Sequence, residues 1–242
     1  MTVQKKEMIY EGKAKKIYST SEPQKLIQEF KDSLTAFNAK KKGNFEGKGG
    51  VNLKITSCIF KYLKENGVPS HFIETLNERE MLVEKLTIIP LEVVVRNKAA
   101  GSICTRLGLK EGSALPRPLV EFFYKKDELN DPLVTEDHIL MLGIATEIDL
   151  VDLRIKALRI NELLKKMFVE IGIDLIDFKI EFGKTPTGGI LLADEISPDS
   201  CRLWDSKTGE KLDKDRFRQD LGHVEENYRL VCEKILKRWE HS

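Results

Sequence analysis

Cysteine is scarce in this 242-residue chain. There are four, at positions 58, 104, 201 and 232, with no C-x-x-C pair and no Cys/His ligand spacing. The sequence therefore offers no zinc site, and scattered thiols suit a reducing compartment, so a cytoplasmic location is expected. No apolar run approaches the ~18 residues of a membrane span. The opening MTVQKKEMIYEGKAKK has no apolar core of the kind a secretory signal needs. An excess of one charge is also missing: 40 Lys and Arg face 39 Asp and Glu, a net charge of +1. No general field draws the molecule to nucleic acid or to a membrane, and any anionic ligand must be met by local basic groups. Aromatic residues are 7% of the chain and few lie near its basic loop, which disfavours a nucleic-acid-binding module. The four histidines, 71, 138, 223 and 241, have no triad-like company, and neither G-x-S-x-G nor G-x-x-x-x-G-K-[ST] occurs.

What is present reads as an α+β protein. A chain of this length buries roughly 70–75% of its unfolded surface, so it needs no disulfides. EMIYEG and KKIYST flank Gly12 as a hairpin, and KLIQEF adds a strand. Residues 35–50, polar, basic and glycine-rich, read as a loop. A helix then runs from Val51 to the stop at Gly67. HFIETL, EMLVEKL and LEVVVR read as strands. A long helix is expected over Leu150–Ile171, where Leu153, Ala157, Ile160, Leu164 and Met167 recur at helical spacing, and another over Asp213–Trp239. LIDFKIEF and GILLADEI, joined by GKTPTG, form a second hairpin. A soft boundary near Thr87–Pro90 divides a strand-rich lobe, residues 1–87, from a mixed lobe, residues 88–242.

Three stretches could carry chemistry. In YEGKAKKIY, Lys13 and Lys15 flank a glycine turn and could hold phosphate oxygens, though a solvated basic hairpin would look the same. In IIPLEVVVRNKAAGS, a buried strand runs into Arg96, and Ser102 could start a helix; together they could bind an anion, or be a helix cap beside a surface arginine. In LIDFKIEFG, Asp177, Lys179 and Glu181 alternate with Ile176, Phe178, Ile180 and Phe182, so the charges share one face of a strand. If the partner strand pairs odd with even residues, Asp194 joins that face and the carboxylates could hold Mg²⁺ through phosphates and waters. Arg202, after the SPDS turn, would stay near the same end. The plain alternative is an amphipathic sheet face neutralised by cross-strand ion pairs. DKDRFRQDLG reads mainly as a helix start, from which Arg218 could reach a ligand.

These stretches, in this order and spacing, resemble the SAICAR synthetase (phosphoribosylaminoimidazole-succinocarboxamide synthase) family nearly end to end. The resemblance implies an enzyme of purine biosynthesis that uses ATP and Mg²⁺ to join L-aspartate to the carboxylate of carboxyaminoimidazole ribonucleotide. It also implies an N-terminal lobe loosely like that of protein kinases and ATP-grasp enzymes, with ATP between the lobes, and a homodimer. It assigns Lys13 and Lys15 to the ATP phosphates, KLTIIP to adenine, and Lys125 and Glu181 to the nucleotide. Glu181 and Asp194 become the metal candidates. Arg96, Ser102 and Arg202 fall to the substrate phosphate, Asp177 and Lys179 to its ribose or reacting carboxylate, and Asp131 and Arg218 are weaker pocket candidates. Lys179, Asp177 and Arg202 are the catalytic candidates. The chain carries Asn38-Ala39 where some members have Asp-Gly, so no role transfers there, and no residues are assigned to the L-aspartate site. Rival readings are a nucleotide-binding regulatory module without turnover and a small-molecule kinase.

Overall fold

The computed structural model describes residues 3–36 and 40–240. Asn38-Ala39 lies outside them. The first part supplies β1 (Lys5–Glu11), β2 (Lys15–Thr20), β3 (Lys25–Phe30), β4 (Ser33–Ala36), β5 (Lys41–Asn44), α1 (Lys48–Glu65), β6 (Phe72–Thr75) and β7 (Glu80–Glu84). Five of these strands form an antiparallel sheet in the order β1-β2-β3-β7-β6. The stretch expected as a plain loop is instead the β4–β5 hairpin followed by the start of α1. Its polar composition hid a buried strand residue, Ala36, which follows the buried Leu34. Gly43 lies close against Phe217 there, since a Cβ would sit 2.9 Å from its ring.

The chain changes sheets between Glu84 and Thr87. The second part contains β8 (Thr87–Lys98), α2 (Ser102–Leu107), β9 (Ala114–Tyr124), a 3₁₀ turn (Asp127–Leu129), β10 (Leu133–Val134), α3 (Glu136–Met141) and α4 (Glu147–Glu170). It continues with β11 (Ile173–Lys184), β12 (Ile190–Ala193), β13 (Cys201–Asp205), α5 (Asp215–Arg218) and α6 (Val224–Glu240). Its six-stranded sheet runs β10-β9-β8-β11-β12, and β13 pairs with the first half of β11. Thus β11 is central, lined by β8 on one side and by β13 then β12 on the other.

α4 begins at a capping box in which Thr146 and Asp149 exchange side-chain and backbone hydrogen bonds. Leu153, Ala157, Ile160, Leu164 and Met167 all lie in the core. The face they form packs on β11 and β8, each large side chain contributing about 2 kcal/mol of apolar burial. The long C-terminal helix expected from Asp213 is two helices. Asp220, Gly222 and His223 have φ of 56°, 68° and 51°, which no α-helix tolerates. Arg216 stabilises the break by donating to the carbonyls of Leu221 (3.1 Å) and Gly222 (2.7 Å). The apolar stripe expected at Phe217, Leu221, Val224, Tyr228, Val231 and Ile235 holds from Val224, which packs against the core, through the buried Tyr228, Val231 and Ile235, whereas Leu221 is exposed. α6 packs against α1, linking the end of the chain to its first part.

Candidate active site

β11 carries the charged row. Ile176, Phe178, Ile180 and Phe182 are buried, as the alternation requires, but Asp177 and Glu181 are buried too. The face is therefore not a solvated one, and its charges need partners. Asp177 stands opposite Arg96 of β8, and Glu181 stands opposite Glu92. Lys179 sits between those two carboxylates, donating to Glu92 (2.8 Å) and Glu181 (3.2 Å).

The hairpin register differs from the condition set on Asp194. Glu181 pairs with Ala193 and Phe182 with Leu192, so odd residues face odd. By parity alone Asp194 would follow the apolar row. It reaches the charged face because β12 ends at Ala193 and Asp194 turns into the left-handed region, φ 65°. Its carboxylate then accepts a hydrogen bond from Lys15 of β2. Its carbonyl is held by two buried side chains, Gln28 Nε2 (3.3 Å) and His71 Nε2 (3.2 Å). Burial pushes the His71 imidazole down to about 3, reinforced by the Lys15 charge, so the ring is neutral and Nε2–H is the donor.

One part of the site is thus a cluster of ammonium groups and carboxylates. Lys15 donates to Asp194 and lies 3.5 Å from Glu195. Lys125, just after β9, donates to Glu181. Burial opposes ionisation of Glu181, but Lys179, Lys125 and Lys15 outweigh it and hold its carboxyl down at about 2. Burial likewise opposes the Lys179 charge, yet Glu181 and Glu92 raise its pKa above the ordinary lysine range. Lys15 goes the other way: burial lowers its pKa despite Glu195 and Glu181. Lys13 lies in the turn rather than on a strand face shared with Lys15, and pairs with Asp127 (2.9 Å). Asp131 caps the adjacent turn by accepting from the Lys126 N–H (2.8 Å). Its carboxyl pKa is raised by burial and by the charge of Glu92. Glu92 and His71 were not among the expected residues; the β8–β11 pairing brings in Glu92, and the bridge of Ser70 to Leu192 of β12 brings in His71.

The other part is built on guanidinium groups. Arg96 donates to Asp177 (2.6 Å), Glu121 (2.6 Å) and the Ala100 carbonyl (3.1 Å), and lies 3.4 Å from the Ser102 hydroxyl. Arg202 of β13 forks onto both Asp177 oxygens (2.9 and 3.1 Å) and donates to Asp215 (2.7 Å), which Arg218 also contacts. Arg106 closes the group through Glu121. Asp177 is shared by two arginines, so both forks are pre-aimed. Gly101 makes this possible, because a Cβ there would lie 2.4 Å from Arg202 Nη2. All the expected residues of this part, Arg96, Ser102, Asp177, Arg202 and Arg218, therefore come together.

A third cluster lies beside them. Lys48, fully buried at the start of α1, donates to Asp199, which also accepts from Asn52 (2.8 Å) and Tyr228 (2.9 Å) and lies 3.4 Å from Lys214. Burial disfavours the Asp199 charge, but Lys214 and Lys48 hold its pKa far below the usual carboxylate range. Lys48 was read as part of a basic loop; nothing in the local pattern marks it as buried. Among the described residues no group of three or more His, Cys, Asp or Glu is placed to hold a metal ion by itself. The donor set fits a hard cation that takes one or two carboxylates and completes its shell with phosphate oxygens and water.

Lysine–carboxylate pairs between the two sheets, next to a group of arginines shared among buried carboxylates, suit an enzyme that handles phosphorylated substrates. The chain matches the SAICAR synthetase family over residues 8–235 and belongs to that family. It is 58% identical to the phosphoribosylaminoimidazole-succinocarboxamide synthase of Campylobacter curvus over 97% of this chain and 100% of that protein. The crystal structure of the synthase from Ehrlichia chaffeensis superposes with a TM-score of 0.93 at 50% identity, covering 95% of this chain and 98% of that one. A SAICAR synthetase solved in complex with ADP gives a TM-score of 0.91 at 50% identity, covering 93% and 96%.

Proposed function

We infer that the chain is an ATP-dependent ligase of purine biosynthesis. It joins L-aspartate to the carboxylate of carboxyaminoimidazole ribonucleotide, giving the succinocarboxamide, ADP and phosphate. The observation that carries this reading is the contact between two unlike sites along one strand: Asp177 belongs to the arginine site, Glu181 to the lysine site, and Lys179 lies between them. A carboxylate resists amine attack because its oxygens leave badly. Transfer of the ATP γ-phosphoryl group onto it gives an acyl phosphate and ADP; the aspartate amine then attacks the acyl carbon, phosphate leaves, and the nitrogen gives up a proton to form the amide. Such a reaction needs positioning and charge neutralisation rather than a protein nucleophile.

On this reading Lys13, Lys15 and Lys125 meet the nucleotide, and the KLTIIP segment, where the chain changes sheets, borders adenine. That assignment takes residues 1–87 and 88–242 as two lobes closing on ATP. Glu181 and Asp194 would hold Mg²⁺ together with phosphate oxygens; the ion supplies charge neutralisation on the transferring phosphoryl group. Arg96, Ser102 and Arg202 grip the phosphate of the imidazole nucleotide, with Arg218 and Asp131 at the rim. Asp177 orients both arginines and faces the ribose. Lys179 lies against the reacting carboxylate and stabilises the negative charge that develops there. The protein works as a cytoplasmic homodimer.

Incubation with ATP, Mg²⁺, the carboxylated imidazole nucleotide and aspartate should yield ADP and the succinocarboxamide in equal amounts, followed by chromatography. Omitting aspartate should stop product and sharply slow ADP release. Undiminished ADP release without aspartate would mean a kinase instead.

A further inference from the structure

One edge of β11 changes partners at Lys179. On that edge β13 pairs as far as Phe178, opposite Cys201, and β12 takes over at Glu181, opposite Ala193. The connection between the two strands, residues 194–200, fills the gap and docks there, with the Lys179 N–H donating to the Ser200 carbonyl (2.8 Å). This connection separates Asp194, in the lysine–carboxylate cluster, from Arg202, in the arginine group. Its shape sets how far apart the two lie.

The connection is held from the first part of the chain. Lys48, Asn52 and Thr56 recur at four-residue spacing on α1, so they form a stripe along one helix face. All three are at most 1% exposed. Lys48 and Asn52 both donate to the Asp199 carboxylate, Asn52 at 2.8 Å, and Thr56 Oγ1 donates to the Ile196 carbonyl at 3.1 Å. Inside the connection, Ser197 Oγ accepts from the Asp199 N–H (3.1 Å) and donates to Glu195 (3.3 Å), which lies 3.5 Å from Lys15. From the other side, Tyr228 of α6 donates to Asp199 (2.9 Å), and the Lys214 N–H donates to the Pro198 carbonyl (3.1 Å).

Stability alone does not call for such a stripe. A buried ion pair gains little over well-packed apolar side chains of similar volume, and Ile55, Ile59 and Leu63 of the same helix are buried without any such bond. Directed hydrogen bonds add something that apolar packing does not: one placement of the connection against the helix. We propose that Lys48, Asn52 and Thr56 are positioning residues that fix residues 194–200 and thereby the spacing of Asp194, Lys179 and Arg202. This rests on the ligase reading given above, in which Asp194 faces the nucleotide and Arg202 the imidazole nucleotide. It adds what holds the two substrates at the separation phosphoryl transfer requires, where a shift of about 1 Å can cost on the order of a hundredfold in rate. None of the three touches a substrate in this arrangement; they act through Asp199 and Ile196.

Steady-state kinetics on the full chain test this, with rates counted per ADP-binding site so that loss of folded protein is not read as loss of turnover. Thr56→Val keeps the side-chain shape and removes the hydroxyl, and Asn52→Leu removes one donor to Asp199 while Lys48 and Tyr228 remain. Each should lower kcat about tenfold or more, with the KM for ATP and the KM for the imidazole nucleotide within about threefold of wild type. Thr56→Ser, which restores the donor, should stay within about twofold of wild type in kcat. If one of the two disruptive variants does not fold, the other decides. An unchanged kcat per site, whatever happens to the urea midpoint, would mean a merely structural stripe and overturn the proposal. Equal losses in Thr56→Val and Thr56→Ser would overturn it too, since the hydrogen bond would then not be what matters. A wild type that binds ADP but makes no succinocarboxamide would overturn the ligase reading, and this inference with it.

Discussion

At Asp194 a non-glycine residue sits at φ 65°, a conformation costing roughly 1–2 kcal/mol for an L-residue. The surrounding side chains over-determine it: Gln28 and His71 both donate to its carbonyl, and Lys15 takes its carboxylate. His71 does no proton chemistry here, since burial keeps it neutral; it acts as a fixed N–H donor from the first sheet to the end of β12. We expect His71→Leu to lower kcat by about tenfold or more and to raise the Mg²⁺ concentration needed for half-maximal rate. His71→Gln, which keeps an N–H donor, should retain most of both. Steady-state rates over a Mg²⁺ titration measure this, and equal losses in the two variants would show that the hydrogen bond does not matter. The same residue shows where local reading stops. A lone histidine in a strand-like stretch has no visible partner until β6 lies beside β12, with the His71 N–H on the Leu192 carbonyl at 2.8 Å.

The central element is β11, and what it does depends on three neighbours. Its two-fold alternation was legible from LIDFKIEFG, and so was its hairpin with GILLADEI through a turn rich in Gly and Pro. The register was not legible, because a one-residue slip changes which face each side chain takes, and only packing of the whole sheet selects between them. The β4–β5 hairpin and the α5–α6 break were missed for related reasons. In the first, polar strands owe their conformation to tertiary contacts such as Gly43 on Phe217. In the second, a stripe continuing through Leu221 concealed the left-handed residues around Gly222. The loop between β8 and α2 was better read: the small residues of AAGS do admit a close neighbour, the Arg202 guanidinium. Gly101→Ala should push that guanidinium off Asp177, since its Cβ would also lie 3.0 Å from Nη1 and the backbone is at φ 63°. The expected result is a KM for the imidazole nucleotide about 10–100-fold higher with the KM for ATP nearly unchanged. Parallel changes in both constants would mean general misfolding instead.

Across the whole molecule, buried ion pairs join the two sheets. Lys15 of the first sheet pairs with Asp194 beyond β12, and Lys48 of α1 pairs with Asp199 between β12 and β13. Removing one partner leaves a buried charge unpaired, which destabilises more than the pair itself stabilises. Glu181 makes the consequence measurable. Its carboxyl is held at about 2 against an ordinary 4.5, so its contribution is present above pH 4.5 and is lost as pH falls through about 2. Glu181→Gln should therefore lower stability at pH 7 by about 3 kcal/mol and lose that deficit progressively between pH 4.5 and 2. Urea unfolding of both proteins across that range tests it; a deficit independent of pH would mean that packing, not charge, supports Glu181.

The sequence by itself determined the local terms: which segments alternate with period two or recur at helical spacing, where glycine allows a turn or a close approach, and which charged residue types the chemistry has available. Its ordered motifs also sufficed to indicate the family. Tertiary structure alone decided which of those charges face one another. Side-chain direction on a strand follows from the residue's own parity, but the identity of the residue opposite follows from register and strand order. These are set by burying Ile176, Phe178, Ile180 and Phe182 against distant parts of the chain. Hence the charges of LIDFKIEFG were visible from the start, while Glu92, His71, the buried Lys48 and the turned-in carboxylate of Asp194 appeared only once the sheets were assembled.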